Sequence, residues 1–127
     1  MAKTLRVVLN VSQFDQVVTF YRDLLGLPLV GGWDRGPGDQ GALLQVTEGG
    51  VVEIVGHGPG FSTPGYADAA IAIELEGRQS VDALHERLLR ASVSVGEPVE
   101  RSWGHYSITL RDPVDVEVVL YTDLLER

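Results

Sequence analysis

The sequence predicts an α+β fold made of two βαβββ modules related by pseudo-twofold symmetry, and three observations carry that prediction. Apolar alternation, which marks strands, and three- and four-residue apolar spacing, which marks helices, occur in the order strand, helix, three strands, and that order occurs twice. Between the two runs, residues 58–67 read Gly-Pro-Gly-Phe-Ser-Thr-Pro-Gly-Tyr-Ala, a connector with no periodicity. Finally, a shift of 64 lays Arg6, Val7, Val8 and Leu9 on Ala70, Ile71, Ala72 and Ile73, Val17, Phe20 and Leu24 on Val81, Leu84 and Leu88, and Val52-Glu53-Ile54-Val55 on Val116-Glu117-Val118-Val119. The chain of 127 residues then divides into a first module at about 4–57, a linker at 58–69 and a second module at about 70–124, together one domain.

Taken in order, Thr4–Val11 alternates as a strand, with Leu5, Val7, Leu9 and Val11 on one face and Arg6, Val8 and Asn10 on the other. Ser12 and Asp15 have the spacing of a capping box. Phe14–Leu25 follows as an amphipathic helix, and Gly26 stands where a helix-ending glycine is expected. Strands are predicted at Leu27–Trp33, Gly41–Glu48 and Gly50–His57. In the second module the strand Ala70–Glu76 precedes a helix at Val81–Arg90, and strands follow at Glu97–Trp103, Tyr106–Arg111 and Asp115–Thr122. His85 lies beside Glu86 and Arg87 and reads as a surface histidine.

Composition excludes several classes of function. Ten Lys and Arg stand against 18 Asp and Glu, a formal charge of −8 with no basic cluster, so neither nucleic acid nor an anionic membrane surface is an expected partner. No apolar run approaches the roughly 20 residues of a bilayer span, and Met-Ala-Lys-Thr leads into a strand rather than a signal peptide, so a soluble, cytoplasmic protein is expected. With no Cys, thiolate metal sites, thiol nucleophiles and Fe-S clusters are impossible, and three His with the carboxylates are the only strong metal ligands. Gly56-x-Gly58-x-Gly60 lacks the spacing and the following helix of a dinucleotide fingerprint.

The two βαβββ modules, the run Phe20-Tyr21-Arg22-Asp23-Leu24-Leu25-Gly26-Leu27 and the pairs Trp103-Gly104 and Asp112-Pro113 resemble the vicinal oxygen chelate superfamily, the group of glyoxalases, bleomycin-resistance proteins and extradiol dioxygenases. The resemblance covers essentially the whole chain. It implies mixed sheets curled around a central cleft that holds the ligand, a helix on the outer face of each sheet, and a homodimer. It also implies that metal-dependent members take one ligand from each of the first, fourth, fifth and eighth strands. Here those positions read Arg6, Glu53, Ala70 and Glu117, or Val119 in place of Glu117 when the count starts at Asp112-Pro113. The usual Asp-Pro-Asp-Gly turn is altered to Asp112-Pro113-Val114-Asp115.

Arginine has no lone pair for a metal and alanine no donor atom, while two carboxylates alone suit Zn, Ni or Fe poorly. No cofactor is therefore expected. A divalent metal stays open only through Glu53 and Glu117 with His57 or His105 recruited, and His57 lies about 13 Å along its strand from Glu53.

By strand parity the ligand-binding candidates are Arg6, Val8, Asn10, Glu53, Val55, Ala70, Ala72, Glu117, Val119 and Tyr121, with Trp33 and Trp103 at the borders. Glu53 and Glu117 read equally well as ligand anchors or as solvated structural carboxylates, and Arg6 as an anchor or a strand-edge charge. Phe61, Tyr66 and Tyr106 also fall near the cleft in this fold. Trp33 leads among the aromatics, because the glycines around it would let a loop close over a planar molecule.

The resemblance, with its metal ligands replaced, points to a metal-free small-molecule binding protein of the bleomycin-resistance type. Such a protein would sequester a drug-like or secondary-metabolite ligand, and the charge of −8 weakly favours a cationic one. The alternative is a glyoxalase-like lyase or isomerase, or a dioxygenase, either metal-dependent through Glu53 and Glu117 or metal-free with one of these two as catalytic base and Arg6 holding an enolate-like oxygen.

Overall fold

The expected order of elements is present in the computed structural model, which describes residues 1–125. Two units form, Met1–Gly65 and a second beginning at Tyr66. The first contains β1 (Leu5–Val11), α1 (Phe14–Thr19) continued by a π-helical turn (Phe20–Leu24), β2 (Leu29–Asp34), β3 (Asp39–Thr47) and β4 (Gly50–His57). Its sheet has the order β1-β4-β3-β2, with β1 parallel to β4 and the other pairs antiparallel. The second contains β5 (Ala70–Glu74), α2 (Gly77–Arg90), β6 (Val99–Glu100), β7 (His105–Arg111) and β8 (Glu117–Asp123), in the order β5-β8-β7-β6 with the same pattern of directions. The fold is thus α+β, with one four-stranded mixed sheet and one helix in each unit.

In each unit the helix buries one face of the sheet and leaves the other open. Val17 and Tyr21 of the first helix and Val11, Leu44, Val52 and Ile54 of the sheet are all fully excluded from solvent or nearly so. In the second unit Val81 and Leu88 of α2 and Ile108, Val118 and Leu120 of the sheet are buried likewise. Each such side chain contributes about 1.5–3 kcal/mol by leaving water, so the alternation of these strands decides which face meets the helix. Gly26 ends the first helix at φ +78° as expected, and the Leu27 N–H reaches the Tyr21 carbonyl at 3.0 Å.

Several local expectations are corrected. Ser12 does not cap α1. Its N–H donates to Thr63 Oγ1 at 3.0 Å, and Gln13 is the N-cap residue without a side-chain cap bond. The first helix is not α-helical throughout, because it widens into the π turn at Phe20. The strand expected at Glu97–Trp103 shrinks to Val99–Glu100, and α2 starts at Gly77 rather than Val81. His85 is not a surface residue: it is 7% exposed, on the inner face of α2 at the place Tyr21 takes in the first helix.

The two modules also do not keep a single register. Val8 pairs with Glu53, but its counterpart Ala72 pairs with Val119, so the later strands are offset by 66 where the first strands are offset by 64. The left-handed residue that ends each helix shows the same offset, Gly26 in the first module and Ser92 in the second. Val119, not Glu117, is the counterpart of Glu53, and Glu117 is the counterpart of Val51.

Candidate functional site

On the open face of the first sheet, Glu53 stands mid-sheet between its partners Val8 and Leu43. Arg6 Nη1 donates to Glu53 Oε1 at 3.0 Å, with the Glu53 side chain only 12% exposed. A half-buried carboxylate needs such a partner, since an unpaired charge there would be costly. His57 Nε2 donates to Asn10 Oδ1 at 2.9 Å, and the His57 ring stacks on Phe61 of the connector with centroids 4.0 Å apart. Val55 lies on the same face, opposite Asn10.

Trp33 is on this face too, but it is already engaged. A Cβ on Gly41 would fall 2.3 Å from the indole, so the ring lies directly on that glycine, while Nε1 donates to Asp39 at 3.1 Å. The glycine-rich segment that follows is a turn closed by the Arg35 N–H to the Asp39 carbonyl at 3.0 Å. A separate hollow of about 310 Å³ lies between the helical segment and β2–β3, where Gly31 and Gly32 leave room beside Phe14, Val18 and Arg22.

The second sheet presents a larger and chemically richer hollow on its open face, about 460 Å³ in volume. Its floor is Val119 and Tyr121 of β8 with Ala72 of β5, whose small side chain leaves the space open. One wall is aromatic. The His105 and Tyr121 rings stack at 4.3 Å with 13° between planes, and Trp103 meets His105 edge-on at 6.4 Å. Trp103 is 61% exposed, because it rides a tight turn in which Gly104, at φ +93°, donates its N–H to the Arg101 carbonyl at 3.0 Å.

Polar groups line the remainder of this hollow. Ser107 and Thr109 alternate with the helix-facing Ile108 and Leu110, and Arg101 Nε donates to Ser107 Oγ at 3.3 Å. Glu117, opposite Ala70, faces Arg111 Nη2 at 3.6 Å. Arg111 in turn donates to the carbonyls of Ala67 and Asp115, both at 2.9 Å.

All twelve ligand-binding candidates from the sequence therefore lie on or beside the open face of their own sheet, Arg6, Val8, Asn10, Trp33, Glu53 and Val55 in the first unit and the others in the second. Tyr106 does not. Its hydroxyl donates to Asp82 of α2 on the helix side, and that carboxylate holds the phenol above its usual range. Sequence reasoning missed Ser107, Thr109 and Arg101 as site residues. The alternation of Ile108 and Leu110 carries the signal for the first two, whereas Arg101 sits in a turn where parity says nothing.

The residues at the family's metal positions do not fit a metal. Arg6 offers no lone pair and occupies Glu53, Ala70 offers no donor atom, and the register puts Val119 at the fourth position. Glu117 is engaged by Arg111, and among the described residues no group of three His, Asp or Glu stands together. No helix of the described residues is long and apolar enough to cross a membrane.

Comparison with solved structures finds the same fold at low sequence identity. A lactoylglutathione lyase from Agrobacterium tumefaciens is 18% identical with a TM-score of 0.73, the alignment covering 96% of this chain and 94% of that one. A glyoxylase/bleomycin resistance protein/dioxygenase domain from Frankia sp. EAN1pec is 20% identical with a TM-score of 0.77, covering 97% and 98%. A glyoxalase/bleomycin resistance protein/dioxygenase from Nocardioides is 20% identical with a TM-score of 0.74, covering 100% and 86%. Comparison with curated proteins finds no match. The model of the Glyoxalase/Bleomycin resistance protein/Dioxygenase superfamily matches residues 3–120, nearly the whole chain, and the chain belongs to that superfamily.

Proposed function

We propose that the protein is a metal-free small-molecule binding protein that sequesters a planar drug-like or secondary-metabolite ligand on the open face of its second sheet. One observation carries the reading: the His105–Tyr121 stack and the exposed Trp103 form an aromatic wall beside a hollow of about 460 Å³. That volume is ordinary for a small-molecule site, and aromatic faces with a few polar groups are its usual lining. The arginine partners of Glu53 and Glu117 count against either carboxylate as a free catalytic base, and the donor set counts against a metal-dependent lyase or dioxygenase.

The chain has two tryptophans, so Trp33→Phe leaves Trp103 as the sole indole. Titration of that variant against a panel of planar metabolites and antibiotics should give saturable quenching that EDTA leaves unchanged, and Trp103→Ala should weaken binding about tenfold, the value of one stacked aromatic contact. A panel without saturable binding, together with metal-activated turnover, would overturn the reading.

A further inference from the structure

We infer that the second-sheet hollow selects a planar aromatic ligand carrying a carboxylate or similar planar oxyanion, and that Arg101 is the residue that selects it. The inference rests on the binding function proposed above and adds the chemical class of the ligand.

Arginine pairing carries the argument. Arg6, Arg22, Arg35, Arg78, Arg90 and Arg111 each face a carboxylate, respectively Glu53, Asp23, Asp39, Glu100, Glu86, and both Asp115 and Glu117. Arg101 has no carboxylate partner among the described residues, although the chain carries eight more negative than positive charges. Its Nε donates to Ser107 Oγ at 3.3 Å, which holds the guanidinium against the wall of the hollow and leaves its two terminal nitrogens without a hydrogen-bond partner among the described residues. The carboxylate in the same hollow, Glu117, is already faced by Arg111 at 3.6 Å. Among the described residues, the hollow thus presents one cation without a carboxylate partner and no carboxylate without a cation, beside an aromatic wall.

A guanidinium is a flat fork of donors that matches a carboxylate through two parallel hydrogen bonds. Arg101 lies two residues from Trp103 on one turn, and its N–H donates to the His105 carbonyl at 2.6 Å, so the fork and the rings share one rigid support. A ring stacked on that wall could place its anionic substituent on Arg101. The local charge therefore opposes the weak preference for cations that the net charge alone implies, because a contact charge acts at short range while the surface acids act through screening solvent.

Three probes of one shape test this: 2-naphthoate, neutral 2-naphthalenemethanol and cationic 2-naphthylmethylammonium, titrated calorimetrically into the full chain. The naphthoate should bind about tenfold more tightly than the other two, the value of one charge-assisted hydrogen-bonded contact in a half-open site. Arg101→Gln, which can keep the bond to Ser107, should remove that preference while leaving the alcohol within about twofold, and Arg101→Lys should restore it in part. If the ammonium binds as tightly as the naphthoate, or Arg101→Gln weakens all three alike, anion selection is overturned and the aromatic site stands. If none of the three binds, the inference and the aromatic site fall together.

Discussion

His85 shows how a single side chain can depart from its neighbourhood in the sequence. It is followed by the charged Glu86 and Arg87, yet it takes the inner face of α2, and its Nε2 is buried with no hydrogen-bond partner among the described residues. A buried polar atom left unpaired costs about 1–3 kcal/mol, so His85→Leu, of similar volume and fully apolar, should raise the unfolding free energy by about 1 kcal/mol in urea titration. Tyr106 gives a second measurement at this scale. Its hydroxyl donates to the Asp82 carboxylate, which favours the protonated phenol, so one tyrosine should ionise above the ordinary value of 10.0 in an ultraviolet pH titration, and Asp82→Asn should bring it back. Since the folded state holds this proton more tightly than the unfolded chain, the contribution to stability is present below pH 10 and fades as the pH rises through the folded-state value.

At the scale of elements, strands supply the floor of the site and one turn completes its wall. The turn of residues 101–104 holds Arg101 and Trp103 beside the second hollow and depends on Gly104, whose φ of +93° disfavours any side chain and whose added Cβ would fall 2.6 Å from Leu125. Gly104→Ala should cost about 1–3 kcal/mol and weaken ligand binding together with stability, measured by thermal unfolding and by titration of the same preparation. The turn between β7 and β8 shows how a departure from the family pattern is accommodated. Asp115 takes φ +74° without being glycine, and the buried Asp112 secures the turn by accepting the Val114 and Val116 N–H groups, both at 2.9 Å.

Over the whole molecule, net charge and local charge act at different ranges. The surplus of eight negative charges sets colloidal behaviour, and with a sequence pI near 4.7 solubility should pass through a minimum close to that pH, read by turbidity across a pH series. That surplus does not determine what the hollow prefers, since Arg101 and the aromatic wall are in contact with whatever enters.

Composition and periodicity in the sequence were enough for the two modules, the helix-facing side of β1, β4, β5 and β8 and the open-face position of residues such as Arg6, Glu53, Ala72 and Tyr121. The reason is that burial at a period of two or 3.6 is a local pattern with a large free energy behind it. Three matters depended on the tertiary structure. Pairing of β5 with β8 put Val119 at the counterpart of Glu53, because an ungapped comparison cannot register two extra residues ahead of Ser92. Packing put Trp33 flat on Gly41 and left Trp103 exposed, since the depth of a turn residue depends on what crosses it. The choice of ion-pair partners left Arg101 without a carboxylate among the described residues, and partner choice reflects distances between strands that no spacing along the chain encodes.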